Sequence, residues 1–507
     1  MQEAKRNNLI TLLMVTVLMI IGFFYRLYGL VANHSFWTDE EHVAIFARAI
    51  LERGKPILIN GYSTGVYQWL QYWLSAISAR IFGLNEFAIR FPSVIFGVLT
   101  IWAIYFLGKE LFNKKIGLIA AFFITFLKIE ILWSRQARPY QALQFFFVLG
   151  AWFIYRLTKE EKFNWRCFSG FLACGILASL IHGLGLVIFF SGFLYLLLFC
   201  FPWFKKQIVV VQRKGLAFFW IAMSLLVFLF FAYFLHNSSM TLSVILKLGE
   251  IKNLFYYRVF LWHNYSLLVF LSLIGVLFQI FQKKKTWLIL ILFLTIQGFI
   301  VSFLLPQPFT RYFYIVFPFL VLLSSVGLAE ISHRISQVLK LRYLMLAFLT
   351  IFIIAMGNKF TLLPQEVYSL NEDMQEVPEV DWNKIYGFTK EKLIQNEGTI
   401  FVTNWPDLPV WFLGEDKIDY LMRKPGKIRM KEDPFSSATL IYSLEEFKDL
   451  IEVKRKGILI IDSWDNYIPD GISEYARENL KKELEVDRIY SIQPRYWPVE
   501  VYSWGLD

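Results

Sequence analysis

The chain has 507 residues, of which 57% are hydrophobic, 19% aromatic and only 18% charged, and its formal net charge is +11. This composition excludes an ordinary soluble protein, a disordered chain and a collagen-like fibre. Residues 1–357 carry 32 Lys and Arg against 12 Asp and Glu, whereas residues 358–507 carry 19 against 28. We therefore expect an apolar, basic module followed by an acidic soluble domain. The excess Lys and Arg fall in short loops between apolar runs, so the charge does not indicate a nucleic-acid partner.

Eleven apolar runs in residues 1–357 match the length of about 20 residues that a bilayer requires. The predicted spans begin near Leu9, Phe91, Ile116, Tyr140, Cys167, Gly183, Leu216, Leu267, Trp287, Tyr312 and Tyr343. Alternate connecting loops are basic: Lys5 and Arg6, Lys109 to Lys115, Arg156 to Arg166, Lys205 to Lys214, Lys283 to Lys285, and Arg334 to Arg342. By the positive-inside rule these loops face the cytoplasm. The sequence thus predicts a polytopic α-helical membrane protein with a cytoplasmic amino terminus and an extracytoplasmic carboxy-terminal domain.

The first external segment, residues 31–90, is long. Its part from Val66 to Phe82 is rich in Trp, Tyr and Leu, with polar residues interspersed at helical spacing. This pattern favours an amphipathic helix lying on the outer membrane surface. The alternative is a short crossing helix, which would invert every later loop against the charge rule.

Residues 358–507 have the alternating pattern of a soluble α/β domain. Strands are predicted at Thr399 to Thr403 and Gly457 to Asp462, and helices at Leu444 to Lys456 and Ile472 to Val486. Alternating strands and helices imply a small sheet with parallel pairs. Five tryptophans are candidates to stack on sugar rings, although core packing accounts equally well for such residues; they are Trp405, Trp411, Trp464, Trp497 and Trp504.

Asp39 is the one aspartate of the first 357 residues, and Glu40 follows it directly after the first span. Acidic residues near lipid reduce stability and are usually kept for function. The alternative is that Asp39 or Thr38 caps the helix that follows. Sequence alone leaves both interpretations open.

Arginines at external turns form a second group. Arg135 and Arg138 lie between the third and fourth predicted spans, Arg311 precedes span ten, and Arg258 lies in the loop before span eight. Positive residues there run against the charge rule, and their planar guanidinium groups suit an anionic phosphate ligand. Alternatively, they contact lipid headgroups or pair with Glu130.

Several histidines are also assigned to the external side. With Glu250, His42 and His263 are candidate ligands of a divalent metal, but their spacing matches no recognised ligand motif. A metal cofactor is therefore an open possibility.

These motifs resemble the protein O-mannosyltransferases (glycosyltransferase family 39) and the related lipid A aminoarabinose transferases. The resemblance lies in Asp39 and Glu40, in Asn85 to Gly108, in the basic Lys109 to Lys115 loop, and in Ser134, Arg135, Ala137, Arg138 and Tyr140. It is specific over residues 36–160 and weaker to Arg311.

The resemblance implies a GT-C glycosyltransferase of a prokaryotic plasma membrane that takes its sugar from a polyprenyl phosphate. The acceptor would be a lipid, a glycan or a protein. Asp39 would be the general base, with Glu40 supporting it, and inversion at the sugar carbon would follow. Arg138, with Arg135, Arg311 and Arg258, would hold the donor phosphate. Relatives often carry Lys-Pro before the surface helix, where this chain has Tyr62 to Val66, and Lys55 is a candidate to replace that lysine.

Two other functions remain open at this point. A transporter or flippase of an anionic lipid would also use many spans and external arginines, although transporters usually place ionisable residues near the bilayer midplane. A non-catalytic relative whose outer domain binds glycan is a third hypothesis.

Overall fold

The computed structural model describes residues 2–31, 35–36, 39–66, 68–159, 163–199, 253–339, 344–366, 368, 380–426, 429–464, 467–487 and 497–506. The predicted span near Leu216, the basic loop Lys205 to Lys214, and Glu250 lie outside these ranges.

The described parts of residues 2–357 are mainly helices that pack against one another. These are α1 (Gln2–Leu27), α2 (Glu40–Arg53), α3 (Trp69–Phe82), α4 (Glu86–Leu111), α5 (Lys114–Phe126), α6 (Lys128–Ser134), α7 (Tyr140–Lys159), α8 (Trp165–Ile181), α9 (Val187–Phe199), α10 (Leu254–Val259), α11 (Tyr265–Phe281), α12 (Leu288–Phe303), α13 (Thr310–Tyr314), α14 (Phe317–Leu339) and α15 (Leu344–Met356).

Four helical stretches in the described ranges are long and apolar enough to cross a membrane: Asn8–Leu27, Glu86–Leu111, Leu254–Phe281 and Phe317–Val338. Shorter apolar helices occur at Trp165–Ile181, Gly183–Leu198, Leu288–Phe303 and Ala347–Lys359. Helices that are apolar on all sides need either lipid or protein around them. Seven of these eight stretches begin within five residues of a predicted span, but Leu254–Phe281 begins thirteen residues before the predicted start near Leu267, and the total of eleven spans stays a prediction.

Helix α3 buries polar side chains and exposes apolar ones. Gln71 and Ser75 face the protein interior, whereas Trp69, Ile77 and Ile81 are exposed. A helix that turns its apolar side outward is suited to contact with lipid rather than water. The predicted surface helix is therefore present as a helix, with the lipid-compatible side facing out.

Helices α11 and α14 approach each other through glycines. A methyl group added to Gly327 would overlap the Leu271 carbonyl oxygen, and one added to Gly275 would overlap the Leu323 carbonyl oxygen. Small residues at such a crossing let two backbones touch, which is how helices associate where the hydrophobic effect is weak.

We therefore expect Gly327→Ala to lower the free energy of unfolding by about 1–3 kcal/mol, because backbone atoms must shift to admit the methyl group. Thermal unfolding of the protein in detergent measures this. Gly298→Ala on α12 is the matched control, since its methyl group would meet Phe313 at an ordinary 3.7 Å. Equal unfolding temperatures for the two variants would contradict the close-packing argument.

The basic loops gather at one end of the helical module. The Lys114 ammonium donates to the Asn8 side chain at the start of α1. The Lys159 ammonium at the end of α7 lies 2.9 Å from the Glu110 carboxylate at the end of α4. Two of the loops that the charge pattern assigns to one side of the membrane, at Lys114 and Lys159, thus lie with the start of α1 at one end of the described helices.

The carboxy-terminal part is a six-stranded sheet in the order β3-β2-β1-β4-β6-β5. The strands are β1 (Ile400–Thr403), β2 (Tyr420–Met422), β3 (Thr439–Ile441), β4 (Gly457–Asp462), β5 (Lys481–Val486) and β6 (Val499–Trp504), and the helices are α16 (Trp382–Gln395), α17 (Asp407–Phe412), α18 (Leu444–Val453) and α19 (Ile472–Asn479). Strands β1, β2, β3 and β4 pair in parallel, while β6 runs antiparallel to β4 and β5. The predicted sheet with parallel pairs is confirmed.

The predicted helix from Ile472 to Val486 is wrong in its second half. The helix ends at Asn479, and Lys481–Val486 form strand β5. This segment reads Lys-Lys-Glu-Leu-Glu-Val, whose period-two alternation pairs with β6. Pairing with a strand about twenty residues away outweighs the helix propensity of the lysines and glutamates.

The segment after α15, which we name the strap (residues 357–366), returns along the helical module. The Thr361 N–H donates to the Phe126 carbonyl at 3.0 Å. Tyr25 donates its hydroxyl to the Leu362 carbonyl. The strap thus binds the start of the soluble domain to the end of α1 and α5.

Further contacts join α2 to the soluble domain. The Arg48 guanidinium donates to the carbonyls of Val410 and Trp411 at 2.6 and 2.9 Å. Arg53 pairs with Glu415 at 2.6 Å. The soluble sheet is therefore held directly against the first external helix.

Candidate active site

Asp39 stands at the amino end of α2. Its backbone is left-handed, with φ 76°, and its carboxylate makes no hydrogen bond to the N–H groups of the helix. The carboxylate instead pairs with Arg138, and the Asp39 side chain remains 51% exposed. Asp39 therefore occupies the N-cap position of α2 without capping the helix. Its carboxylate is turned toward residues 135–139, the loop between α6 and α7 that carries Arg138, which we name the arginine loop.

Arg311 is the second cation beside Asp39. Burial alone raises the pKa of the Asp39 carboxyl, but the positive charges of Arg138, Arg311 and His42 outweigh it and hold that pKa below the ordinary 3.8. Asp39 is thus a carboxylate at neutral pH. The structure brings together three residues that lie between 99 and 272 positions apart in the chain.

Aromatic rings line the arginine side of this site. The Arg138 guanidinium lies 5.5 Å from the Tyr140 ring centroid, and that of Arg311 lies 3.8 Å from the Phe309 ring centroid. The Tyr140 ring lies 5.9 Å from His182. Cations held between aromatic rings keep their charge while little water surrounds them. The arrangement is suited to bind an anion with an apolar tail.

His182 is a site residue that the sequence does not single out for chemistry. Its Nδ1 accepts the Leu184 N–H at 3.1 Å. Burial, together with the nearby Arg138 and Arg311, lowers the pKa of His182 to about 4. The imidazole is therefore neutral at pH 7, and it adds a polar group without adding charge.

Glu40 lies immediately behind Asp39 and is fully buried. Its two carboxylate oxygens accept from Arg90 Nε and Nη2 at 2.9 and 2.8 Å. One of them also accepts the Ala137 N–H at 2.6 Å. Glu40 thus connects α2, α4 and the loop that carries Arg138, so it positions the site rather than faces a ligand.

Arg135 is oriented away from Asp39. Its guanidinium donates to backbone carbonyls at the end of α1 and on the strap, including Gly29 at 2.8 Å and Glu366 at 2.6 Å. It also lies 5.0 Å from the Tyr368 ring centroid. Arg135 therefore joins the end of α1 to the strap, whereas the sequence predicts that it binds the donor phosphate.

Lys55 and Arg258 are not brought to Asp39. Lys55 is exposed beyond the far end of α2, and the 14 residues of that helix place it about 20 Å away. Arg258 is exposed on α10. Its neighbour Tyr257 hydrogen-bonds the Phe309 carbonyl at 3.0 Å, so only the helix, not the arginine, touches the site.

The candidate metal ligands are dispersed. His42 contacts Asp407 at 3.5 Å, and His263 is exposed in the turn between α10 and α11. Glu250 lies outside the described residues. Among the residues that the structure describes, no three His, Cys, Asp or Glu side chains gather in a way that would hold a metal ion.

Glu41 is a second buried acid, which the sequence pattern does not distinguish from its neighbours. Its side chain is 1% exposed, and its Oε2 atom has no hydrogen-bond partner among the described residues. Burial, together with the charges of Asp407 and Asp39, raises the pKa of Glu41 well above its ordinary value. Glu40, whose two oxygens are bound, and Glu41, whose Oε2 has no partner among the described residues, therefore point in different directions from α2.

Comparison with known families identifies part of this chain. Residues 69–228 match the model of the dolichyl-phosphate-mannose-protein mannosyltransferase family. An uncharacterized protein of Aquifex aeolicus is 30% identical over 196 residues, 37% of each chain. The putative mannosyltransferase YkcB of Bacillus subtilis is 28% identical over 105 residues, 21% of this chain and 14% of YkcB. The matches thus span well under half of these curated relatives.

Solved structures resemble the chain over a much greater length. ArnT from Cupriavidus metallidurans bound to undecaprenyl phosphate superposes with a TM-score of 0.57 and 13% identity, covering 97% of both chains. The oligosaccharyltransferase AglB from Archaeoglobus fulgidus, in complex with an inhibitory peptide and a dolichol phosphate, superposes with a TM-score of 0.55 and 13% identity. This superposition covers 89% of this chain and 69% of AglB.

The chain has the GT-C fold. It is accordingly an integral membrane protein, and the predicted fold class, with its soluble α/β domain, is confirmed. Within this GT-C chain the family match includes Arg90 and Arg138 but ends before Arg311 and begins after Asp39. The family match thus covers two of these four residues and leaves out Asp39 and Arg311.

Proposed function

We propose that this GT-C protein is a glycosyltransferase that moves a sugar from a polyprenyl-phosphate donor to an acceptor on the external side of the membrane. The observation that carries the proposal is the meeting of Asp39, Arg138 and Arg311 at one end of the helical module, opposite the basic loops. ArnT and AglB, which share the fold, hold polyprenyl phosphates in their structures.

In this reaction Asp39 is the general base. A carboxylate held ionised by two arginines accepts the proton of an acceptor hydroxyl as its oxygen attacks the sugar carbon. The new carbon–oxygen bond forms while the bond from that carbon to the phosphate oxygen breaks. Because the attack is a single displacement, the sugar carbon inverts.

Arg138 and Arg311 bind the phosphate. The leaving polyprenyl phosphate keeps the electron pair of the broken bond, and its charge grows as the bond breaks. Two guanidinium groups fixed by aromatic rings stabilise that charge without having to reorganise. Binding of the donor phosphate also competes for Arg138 and releases the Asp39 carboxylate to receive the acceptor hydroxyl.

The same proposal assigns the two parts of the chain. Residues 1–357 form the transferase module, with residues 31–90 as the external segment that carries the base, and residues 358–507 form an extracytoplasmic domain beside it. The amino terminus is then cytoplasmic.

The direct test is sugar release. The purified chain in detergent is incubated with labelled polyprenyl-phosphate sugars and a membrane extract, and free or transferred sugar is separated from the lipid. Release that depends on the protein and on Asp39 supports the proposal. Intact lipid-linked sugar, together with thermal protection by the donor, would instead favour a flippase or a binding protein.

Arg138→Ala is expected to lower the transfer rate by about 10²- to 10³-fold, because one donor to the leaving phosphate is lost. The residual activity should also have a changed pH profile. Removing the cation destabilises the Asp39 carboxylate and raises its pKa, so activity falls at a higher pH on acidification than in the wild type. Rates measured across the acid range check both effects.

Arg166→Ala, at the opposite end of the module, is the control and should leave rate and profile unchanged. An Arg138→Ala profile that superposes on the wild-type profile would show that Asp39 is not the titrating base.

A further inference from the structure

The strand order of the soluble sheet reverses at one point, outside the carboxyl ends of two strands, which we name the crevice; none of the transferase residues belongs to it. Strands β1 and β4 are parallel neighbours at the centre of the sheet, and the chain continues from β1 to β2 on one side while β4 lies on the other. Ligands of such sheets bind outside the carboxyl ends of the strands, at the point where the strand order reverses. The residues at this point are Asn404 to Asp407 after β1, and Ser463 and Trp464 after β4.

Two indole rings lie at this crevice. The ring centroids of Trp405 and Trp464 are 6.5 Å apart, and their planes are inclined by 56°. Trp504 behaves differently: its indole N–H donates to the Lys454 carbonyl at 2.7 Å, and its ring packs 6.3 Å from Phe447. Trp504 is therefore part of the domain core, whereas Trp405, partly buried against the core, and Trp464 follow the carboxyl ends of their strands.

Polar atoms without partners accompany these rings. Trp405 Nε1 and Ser463 Oγ are both buried, and within the described residues neither has a hydrogen-bond partner. A buried donor left unpaired destabilises the folded protein, because it has lost its hydrogen bond to water without gaining another. A ligand that presents hydroxyl oxygens to the Trp405 indole and to the Ser463 hydroxyl would recover this energy.

The crevice is held rigidly. The Asn404 side chain donates to the Asp462 carbonyl at 3.1 Å, and its oxygen accepts the Asp462 N–H at 2.9 Å. The Asp462 carboxylate accepts the backbone N–H of Trp464 at 3.0 Å. The Arg423 guanidinium donates to the backbone carbonyl of Asn404 at 2.5 Å. The two loops that carry the indoles are thus fixed to one another before any ligand binds.

The crevice also adjoins the base. Asp407, at the end of the β1 loop, lies 3.5 Å from His42, three residues after Asp39. The Tyr386 hydroxyl lies within electrostatic range of Asp462, Glu41 and Asp407. The carboxylates of Asp407 and Asp462 therefore lie in this region with the Arg423 guanidinium, whereas the Asp39 charge is offset by Arg138 and burial disfavours the ionised form of Glu41. Such a surface repels an anionic ligand.

We propose that the crevice between β1, β4 and α2 is the acceptor site, and that the acceptor is a carbohydrate, neutral or amino-substituted but not anionic. Indole faces lie against the apolar C–H face of a pyranose, and carboxylates with the Trp405 and Ser463 groups bind its hydroxyls. This inference rests on the proposed function, because only a transferase has an acceptor.

The test measures binding without any donor. The full-length chain in lipid nanodiscs is mixed with mannotriose, with a glucosamine trimer or with trigalacturonate, and binding is followed by saturation-transfer NMR of each sugar. We expect the first two to bind, and trigalacturonate to bind at least tenfold more weakly. Trp405→Phe, which keeps a ring but removes the N–H, and Ser463→Ala should each weaken binding at least threefold.

Trp165→Phe, at the exposed start of α8, is the matched control and should bind as the wild type does, while thermal unfolding shows that each variant is folded. Absence of saturation transfer from all three sugars would overturn the inference, as would equal binding by Trp405→Phe and Trp165→Phe, or a preference for trigalacturonate. Sugar release from the donor is assayed separately. Release without saccharide binding rejects the acceptor site alone, and saccharide binding without release rejects the transferase.

Discussion

Replacing Asp39 by Asn is expected to lower donor-dependent sugar transfer by about 10²- to 10⁴-fold, because the variant cannot accept the acceptor proton. The backbone should tolerate the change: Asp39 has φ 76°, and Asn is one of the few side chains that adopt this left-handed conformation readily. The loss of rate therefore reflects the missing carboxylate rather than misfolding, and sugar release from the labelled donor measures it directly.

Glu52→Gln provides the comparison. Glu52 lies on the same helix, its side chain is 50% exposed, and it pairs only with Arg48 and Arg53 among the described residues. Its loss should leave the rate within about twofold. If the folded Asp39→Asn protein transferred sugar as fast as the Glu52→Gln protein, the base would have to be another group, and Glu41 would be the first to test.

The largest effect on stability is expected from Glu40→Gln. Glu40 and Arg90 are both fully buried, so removal of the Glu40 charge leaves the Arg90 guanidinium with a single more distant acid among the described residues, Glu86, at 3.9 Å. Breaking a buried pair in this way costs about 3–5 kcal/mol. We expect a correspondingly large decrease in the unfolding temperature of the purified protein, measured in detergent by its tryptophan fluorescence.

Glu110→Gln removes a carboxylate from a pair of the opposite kind, since its partner Lys159 is 55% exposed. That change should cost no more than about 1 kcal/mol. Glu40→Met combined with Arg90→Met should recover part of the lost stability, because no uncompensated charge remains. Similar unfolding temperatures for Glu40→Gln and Glu110→Gln would show that the buried pair is not a structural element of the site.

Loss of Glu40 has a second consequence for activity. The Ala137 N–H that Glu40 accepts is one residue before Arg138. Gln supplies one acceptor oxygen where Glu40 uses two, and its NH2 group would face a donor of Arg90, so the side chain that holds the Ala137 N–H must shift. Glu40→Gln should therefore reduce the maximal rate even where the protein stays folded.

The sequence predicts the helical module well because bilayer crossing imposes a simple rule of length and apolarity. Helix α4 and strand β4 begin within five residues of their predicted starts. By contrast, the partner of Glu40 is Arg90, fifty positions away, and no local pattern identifies such a contact. The strand at Lys481–Val486 escapes prediction for the same reason, since its identity depends on pairing with β6.

The arginines show the limit most clearly. Arg135 and Arg138 lie three positions apart in the same turn, and the sequence pattern predicts the same role for both. In the fold Arg138 meets Asp39, whereas the guanidinium of Arg135 is surrounded by carbonyl oxygens of α1 and the strap. The direction of a side chain in a turn depends on neighbours distant in sequence, so the predicted pair divides into one site residue and one structural residue.

The strap has a consequence for how the soluble domain works. A domain joined by a flexible linker samples a wide volume and captures partners at a distance. Here residues 357–366 follow the helical module closely, and Arg135 holds the Glu366 carbonyl at 2.6 Å. The soluble domain therefore has almost no reach of its own. An acceptor held there, as proposed above, would have to diffuse to a fixed position, and an exchange of this domain with that of another protein would succeed only if the strap were exchanged with it.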